Sequence, residues 1–211
     1  MTAPAVERAG DHGHPVTECH ADVWAVRLDG RAGEGSLEIL SAAEREHSAR
    51  LRMGGVEWGA ARAALRRILG DCLAMAPCDV AFEAGGSGKL RLAPGAPLDL
   101  RFSVSRSGGF ALIALRLSAE VGVDLEPVRE GVRGAEIARD ILGEELGGGD
   151  FFRLWTRREA LAKACGRGIA SPLRDEDRAR FTVRDCDVLP GFAAAVASEG
   201  RDWDIRMRRA D

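Results

Sequence analysis

The 211-residue sequence predicts an α+β fold built from two similar α/β halves. Stretches with the alternating pattern of strands and stretches with helical periodicity follow each other in mixed order, which favours α+β over a doubly wound parallel sheet. Both halves also run strand, helices and then strands, with a boundary near residues 118–121. About 45% of the residues are hydrophobic, an ordinary share for a globular protein with a sizeable core.

The sequence of the first half predicts one strand, two helices and four short strands. Residues 21–30 alternate apolar and polar side chains, as in a half-buried strand. Ser41 and Glu44 form a capping-box pattern that begins a short helix. Apolar positions at helical spacing predict a longer helix over residues 57–75, and Pro77 is expected to end it. Short strands between Gly and Pro turns are predicted for DVAFEA, KLRLA, LRFSVS and FALIALRLS.

The sequence of the second half predicts a similar order of strands and helices. VGVDLE, residues 121–126, has the pattern of a strand, and AEIARDILG that of a short helix. A longer helix is expected to begin at Asp150 as its N-cap and to end at Cys165. Strands at RFTVRD, FAAAVAS and WDIRMRR close the chain. We therefore predict a flexible tail over residues 1–20, an N-terminal half over residues 21–118 and a C-terminal half over residues 119–211.

Charge and cysteine content argue against several classes of function. A net charge of −3 offers no broad basic surface for nucleic acid or an anionic membrane. The sequence has no apolar stretch of about 18 residues and no signal-peptide pattern, so we expect neither a membrane span nor secretion. The five cysteines are widely spaced without a CxxC pair, so we expect a cytoplasmic protein without a disulfide framework. A metal site at His12, His14, Cys19 and His20 is the alternative to a simple tail, but this spacing fits no structural zinc pattern.

Two acids stand in what otherwise looks like a buried strand. Alternate side chains of a strand share a face, so Asp124 and Glu126 point one way while Val123 and Leu125 point the other. Pro127 cannot donate to a strand ladder and is expected to end the strand. Buried charges need compensation. Taken alone, however, the pair also fits a half-buried strand whose polar face meets water.

The second long helix carries a third acid. Trp155, Glu159 and Lys163 recur every four positions and form one stripe. In isolation, Glu159 and Lys163 would be read as a surface ion pair. Combined with Asp124 and Glu126, Glu159 completes three carboxylates that can converge on one divalent cation, and Mg²⁺ or Mn²⁺ suits such oxygen ligands. Lys163 then fits a phosphate partner.

The stretch FSVSRSGGF, residues 102–110, adds a possible anion site. The strand is expected to break there at Ser105, Arg106, Ser107, Gly108 and Gly109. Hydroxyls, a guanidinium and backbone N–H groups at such a turn can cradle an anion.

These residues together resemble the two signatures of the Sfp-type 4′-phosphopantetheinyl transferases. VGVDLEP is similar to their G-[VI]-D-[IVL]-E strand, and LWTRREALAKACGRGI is similar to their W-[ST]-x-K-E-[AS]-x-x-K-x-x-G-x-G helix. FSVSRSGGF resembles the family's F-N-x-S-H-S-G turn, and GSGKLRL resembles the G-K-P segment before it. The resemblance covers most of residues 40–170 and, by element order, nearly the whole chain.

The resemblance implies a pseudo-dimer whose two halves bind coenzyme A in the cleft between them. Asp124, Glu126 and Glu159 match the acids that hold Mg²⁺ on the coenzyme A diphosphate, and Lys163 matches a lysine that contacts phosphate and the attacking group. The implied substrate is a serine of an apo acyl, peptidyl or aryl carrier protein. Its hydroxyl attacks the β-phosphate, with Glu159 as the candidate general base, and adenosine 3′,5′-bisphosphate leaves. A monomer that serves polyketide or nonribosomal peptide synthases in secondary metabolism is expected, because one chain holds both halves.

The same resemblance points to coenzyme-binding residues and to three departures from the family pattern. Lys89, Ser105 and Arg106 match coenzyme-binding positions, although Arg106 stands where the family usually has His. Arg158 replaces the usual Lys before Glu159, and Leu90 replaces Pro. None of these changes removes one of the three acids, so we expect an active enzyme. Candidates for the 3′-phosphate, each of which also fits a solvated helix face, are Arg50, Arg52 and Arg62.

Two other classes of function stay open from the sequence. One is a non-catalytic module that binds coenzyme A or a carrier protein without transferring anything. The other is a different Mg²⁺-dependent phosphotransferase that acts on nucleotides. The second lacks support, because GGSGKL has Glu83 in place of the first P-loop glycine and Leu90 in place of Ser or Thr.

Overall fold

A computed structural model describes residues 16–28, 38–85, 89–129, 150–167 and 174–208 of the chain. Runs of strands and pairs of helices follow one another in these residues without a βαβ series, which confirms the predicted α+β class. The strands are β1 His20–Arg27, β2 Phe82–Ala84, β3 Leu90–Leu92, β4 Leu100–Ser107, β5 Phe110–Leu117, β6 Val121–Pro127, β7 Phe181–Asp185, β8 Phe192–Glu199 and β9 Asp204–Arg208. The helices are α1 Ala42–Arg50, α2 Gly55–Leu73, α3 Asp150–Ala164 and α4 Asp175–Arg180, with a 3₁₀ turn at Pro77–Asp79.

The strands form two main sheets and one short hairpin. The first sheet has the order β4-β5-β1-β9, in which β5 is antiparallel to both neighbours and β9 is parallel to β1. The second sheet has the order β6-β8-β7 and is antiparallel throughout. Strands β2 and β3 pair only with each other. Strands β4 and β6 each lie at an edge of their sheet in the described part of the chain.

The apolar side chains pack these elements into four layers. The order of the layers is α2, the first sheet, the second sheet and α3. Leu65 and Leu69 of α2 pack on one face of the first sheet, against Ile113. The other face of that sheet packs on β6 and β8 of the second sheet, where Val23 and Val123 are fully buried. Helix α3 covers the outer face of the second sheet through its alanines and Leu161. Each sheet is therefore covered on both faces, and the edge strands β4 and β6 meet where the sheets join.

The last strand crosses from the second sheet to the first. Strand β9 pairs with β1, and the fully buried Asp22 of β1 accepts hydrogen bonds from Nε of Arg206 at 2.5 Å and Nε of Arg208 at 2.7 Å. These charge-assisted bonds hold β9 in its register on β1. The final strand of the chain therefore belongs to the first sheet. The division into two halves between residues 118 and 119 stays a prediction.

Most predicted elements are found, with a few differences. The capping box of α1 is present, since Ser41 N donates to Glu44 Oε2 and Glu44 N donates to Ser41 Oγ. Helix α2 ends at Leu73, ahead of the proline, because Ala74 adopts a left-handed φ of 63°. Helix α4 was not predicted, because its six residues DEDRAR carry no apolar periodicity. The tail up to residue 15 and the helix predicted at AEIARDILG lie outside the described residues, and no described helix is long and apolar enough to cross a membrane.

Candidate functional site

The acids of β6 lie on the face of the strand that turns away from the shared core. Val123 and Leu125 are fully buried among the apolar residues between the two sheets, so the predicted alternation is found. Asp124 is nevertheless only 3% exposed, while Glu126 is partly buried. A polar strand face in water, the ordinary interpretation of this pair, is therefore wrong for Asp124, because β4 and α3 cover it.

Serines of β4 bind the acids of β6. Ser105 Oγ donates to Asp124 Oδ1 at 2.8 Å, and Ser107 Oγ donates to Glu126 Oε2 at 3.1 Å. Ser103 completes the series by accepting from the backbone N of Val123 at 3.2 Å. These hydroxyls replace ladder hydrogen bonds between two edge strands. The sequence pointed to Ser105 and Ser107 as hydroxyls at the end of this strand, and the period-two serines of FSVSRS place Ser103 on the same face.

Helix α3 brings Glu159 and Lys163 to the same place. Lys163 Nζ donates to Asp124 Oδ1 at 2.6 Å, to Ser105 Oγ at 3.1 Å and to the carbonyl O of Val123 at 3.1 Å. Glu159, one turn earlier, is 3% exposed. The close approach of α3 depends on Gly122, because a Cβ there would overlap the backbone of α3. The structure thus brings Asp124, Glu159 and Lys163 together, as predicted.

The acid cluster carries more negative charge than its lysine neutralises. Asp124 Oδ2 and Glu159 Oε1 are buried and have no hydrogen-bond partner among the described residues. Burial raises the pKa of the Glu159 carboxyl, and the charge of Asp124 raises it further against the opposing effects of Lys163 and Arg158. Burial followed by the charge of Asp124 also raises the pKa of Glu126. Carboxylates that are buried beside another negative charge in this way favour binding of a cation.

The donor set suits a hard cation, although the side chains do not enclose one as placed. In the described ranges, no group of three His, Cys, Asp or Glu residues is arranged to hold a metal ion. The chemistry of the donors does suit a divalent cation. Two buried carboxylate oxygens have no hydrogen-bond partner among the described residues, and the pKa values of Glu126 and Glu159 are raised. Lys163 Nζ, at 2.6 Å from Asp124 Oδ1, occupies one contact that such an ion would use. The metal therefore stays a prediction at this point.

A cleft of about 410 Å³ opens beside the acid cluster and is lined by cations. Its volume is in the range of small-molecule sites. Trp58, Leu65 and Phe102 supply apolar walls. No motif in the sequence marks these walls as part of a site, and Arg167 stands at a variable position of the motif LWTRREALAKACGRGI. The cationic side chains that line the cleft are Arg62, Lys89, Arg106, Lys163 and Arg167.

Arg62 is the best placed of the three arginines predicted for the 3′-phosphate. Its guanidinium lies 5.0 Å from the ring centroid of Trp58 and 5.2 Å from that of Phe82. Its Nη1 is buried and has no hydrogen-bond partner among the described residues. Arg50 instead forms an ion pair with Glu46 on the exposed side of α1, and it does not line the cleft. Arg52 is exposed and lies outside the lining as well.

Arg106 lies at the rim of the cleft, at the end of β4. It is exposed and precedes the turn to β5, where Gly108 and Gly109 take positive φ values of 58° and 78° that favour glycine. Burial lowers the pKa of its guanidinium, and the nearby charge of Glu57 opposes that change. The predicted coenzyme-binding residue therefore borders the same cleft as Lys163.

Lys89 lines the cleft, but its ammonium already has partners. Lys89 Nζ donates to Glu120 Oε2 at 2.8 Å and to the carbonyl O of Val121 at 2.9 Å. Arg91 and Arg101 also contact Glu120, at 3.0 Å and 3.4 Å. The predicted ligand Lys89 thus links β3 to the start of β6.

Replacing Glu120 with glutamine is expected to lower the free energy of unfolding at neutral pH and to weaken its dependence on acid. Burial alone would raise the pKa of this carboxyl, but the hydrogen bond and charge of Lys89, with Arg91 and Arg101, outweigh it and lower the pKa. A group whose pKa is lowered on folding stabilises above its unfolded pKa, and this stabilisation is lost as the pH falls through the folded pKa. Chemical denaturation of both proteins from about pH 7 to about pH 3 tests this. Equal acid slopes would show that Glu120 contributes nothing.

The chain is similar to several curated proteins, while no family model matches it. The 4′-phosphopantetheinyl transferase HetI of Nostoc sp. is 37% identical over 221 aligned positions, which cover 88% of this chain and 90% of that protein. A protein of Synechocystis sp. provisionally named a 4′-phosphopantetheinyl transferase is 32% identical over 135 positions. The 4′-phosphopantetheinyl transferase psf-1 of Bacillus pumilus is 30% identical over 131 positions. These last two matches cover 57% of this chain and only about half of each relative, 55% and 52%.

Proposed function

Because the chain belongs to the 4′-phosphopantetheinyl transferase family, we propose that it transfers the 4′-phosphopantetheine arm of coenzyme A to a serine of an apo acyl or peptidyl carrier protein. The released product is adenosine 3′,5′-bisphosphate. The observation that carries the proposal is the cationic cleft, whose lining residue Lys163 also binds the buried acid Asp124 next to Glu159. A diphosphate with a bulky nucleotide and a flexible arm needs both features at once.

The cations of the cleft bind and orient the coenzyme. Arg62 has a buried donor without a partner and lies against the Trp58 ring, so it is suited to a phosphate beside an aromatic base. Arg106 and Lys163 line the cleft next to the acids and bind the diphosphate oxygens. Phosphoryl transfer depends mainly on positioning and on neutralising charge, and these side chains supply both.

Asp124, Glu126 and Glu159 would hold Mg²⁺, with Mn²⁺ as an alternative. When bound, the ion would neutralise charge on the diphosphate and its leaving group. Ser105 and Ser107 orient two of these carboxylates through their hydroxyl hydrogen bonds. These hydrogen bonds fix the two carboxylates of β6, and Lys163 connects Asp124 to the cleft that it lines.

Glu159 accepts the proton of the attacking serine, directly or through a water molecule. Its Oε1 is buried without a partner, and its raised pKa makes it a better base than an ordinary glutamate. Replacing Glu159 with glutamine is expected to lower the transfer rate at least about a hundredfold. The rate is measured as carrier modified per minute, and Glu199→Gln, an acid paired with Arg180 away from the cleft, is the control. Normal turnover by the Glu159→Gln protein would contradict the assignment.

Weighing an apo carrier protein before and after reaction tests the function itself. The protein, coenzyme A and Mg²⁺ are mixed with carriers of fatty acid, polyketide and nonribosomal peptide synthases. A gain of one phosphopantetheine mass on a carrier supports the transferase. Tight binding of coenzyme A without any gain on any carrier would instead support a non-catalytic binding module. We propose carriers of secondary metabolism as the substrates and a monomer as the active form.

A further inference from the structure

Two partly buried lysines make matching contacts at two points along β6. Lys163 Nζ contacts a carboxylate oxygen of Asp124 at 2.6 Å and the carbonyl O of Val123 at 3.1 Å. Lys89 Nζ contacts a carboxylate oxygen of Glu120 at 2.8 Å and the carbonyl O of Val121 at 2.9 Å. Each ammonium therefore neutralises one acid and donates a hydrogen bond to a backbone carbonyl of the strand.

The surroundings of the two pairs differ in sign. Glu120 also contacts Arg91 and Arg101, so that cluster has more positive than negative charge. Asp124 faces Glu159 and Glu126 instead, and the charge of Asp124 raises the pKa of both. Arg129 lowers the pKa of Glu126 and Arg158 lowers that of Glu159. Among the described side-chain hydrogen bonds and ion pairs, Asp124 binds Ser105 and Lys163.

We infer that Lys163 is the internal counter-ion of this acid cluster and competes with a divalent cation for Asp124, so that the cation binds well only when a phosphate ligand draws Lys163 away. The inference rests on the proposed function for the identity of that phosphate ligand, coenzyme A. It assigns Lys163 a second position, distinct from its contact with the substrate. Binding of the cation and of the coenzyme is then mutually favourable, since each removes the competitor of the other.

Charge and geometry both support this competition. An ammonium at 2.6 Å from Asp124 Oδ1 prevents a cation from approaching the same oxygen. Lys163 also lines the cleft, so phosphate oxygens in the cleft are within its range of motion. After Lys163 has turned to the phosphate, Asp124 and Glu159 keep buried oxygens without a partner, which a cation satisfies.

Binding of Mn²⁺ without coenzyme A, measured by electron paramagnetic resonance, tests the inference. The Lys163→Met protein keeps most of the length of the side chain without its charge, and it is expected to bind Mn²⁺ on the order of tenfold more tightly than the wild type. Lys89→Met is the matched control and is expected to show no gain, because Arg91 and Arg101 still neutralise Glu120. Equal or weaker Mn²⁺ binding by Lys163→Met would overturn the inference.

Thermal unfolding gives a second readout if the methionine variant folds poorly. Lys163→Met and Lys163→Gln leave Asp124 without its counter-ion, so both are expected to melt earlier than the wild type and to recover with added Mn²⁺. Lys89→Met is expected to melt earlier without recovery. The inference would also be overturned if Mn²⁺ raised the melting temperature of the destabilised Lys163 variants no more than it raises that of the wild type. These measurements need neither carrier nor coenzyme A, so an inactive wild type would contradict the proposed function and leave this result intact.

Discussion

Replacing Asp124 with asparagine is expected to reduce transfer of the phosphopantetheine arm on the order of a thousandfold. Asparagine keeps the shape of the side chain but removes the charge, so the cluster loses a carboxylate that is only 3% exposed. Lys163 would then lack its charged partner, and Ser105 would donate to a neutral amide oxygen. The mass of the apo carrier after reaction measures the loss, under the conditions that saturate the wild type.

Asp22→Asn is the matched control for this prediction. Asp22 is also a fully buried strand aspartate, but its partners are Arg206 and Arg208, at the side of the first sheet that holds β9. Removing its charge leaves two arginines without their acid, and we expect a loss of about 3 kcal/mol in the free energy of unfolding. Transfer per folded molecule is expected to stay at the wild-type rate. Comparable losses of transfer in both variants would mean that Asp124 acts through stability alone.

Replacing Gly122 with alanine is expected to lower the free energy of unfolding by about 3 kcal/mol. A Cβ at this position would overlap the carbonyl O of Ala160 and the backbone N of Ala164, both on α3. Backbone atoms of a helix cannot turn aside as a side chain can, so α3 must move away from β6. Because α3 carries Glu159 and Lys163, the variant is also expected to lose transfer in its folded fraction. Urea denaturation measures the first effect and the carrier assay the second.

Gly95→Ala distinguishes this overlap from the general cost of replacing a glycine. Gly95 has a φ of 93°, and a Cβ there would meet no atom within 4 Å. The substitution therefore costs only backbone strain, about 1 kcal/mol, and is expected to leave transfer unchanged. A Gly122→Ala protein no less stable than Gly95→Ala would show that α3 and β6 are not in contact as described.

Local patterns in the sequence predicted the elements and the family. The capping box at Ser41 and the alternation of VGVDLE depend on neighbouring residues, and both are found. The two motifs identified the family, and the similarity to HetI over most of the chain confirms it. Local patterns failed where the element is short and polar, as in α4, because six charged residues have no periodicity to detect.

The candidate site could be predicted only in part. The sequence placed Asp124, Glu159 and Lys163 in one site, and the structure brings them together. It gave no means of choosing among Arg50, Arg52 and Arg62, whereas the structure places Arg62 alone of these three in the lining of the cleft. It also offered no reason to connect Lys89 with Glu120, since 31 positions separate them along the chain.

The amino-acid sequence by itself determined the α+β class, the faces of β6 and the membership of the acids in one family pattern. These properties follow from backbone periodicity and from residue types at fixed short spacings. Only the tertiary structure decided that serines of β4 bind the acids of β6, that Lys163 neutralises Asp124 and that β9 joins the first sheet. Such contacts join residues far apart in the chain, and they form only because the apolar faces of the two sheets and of α3 pack against one another.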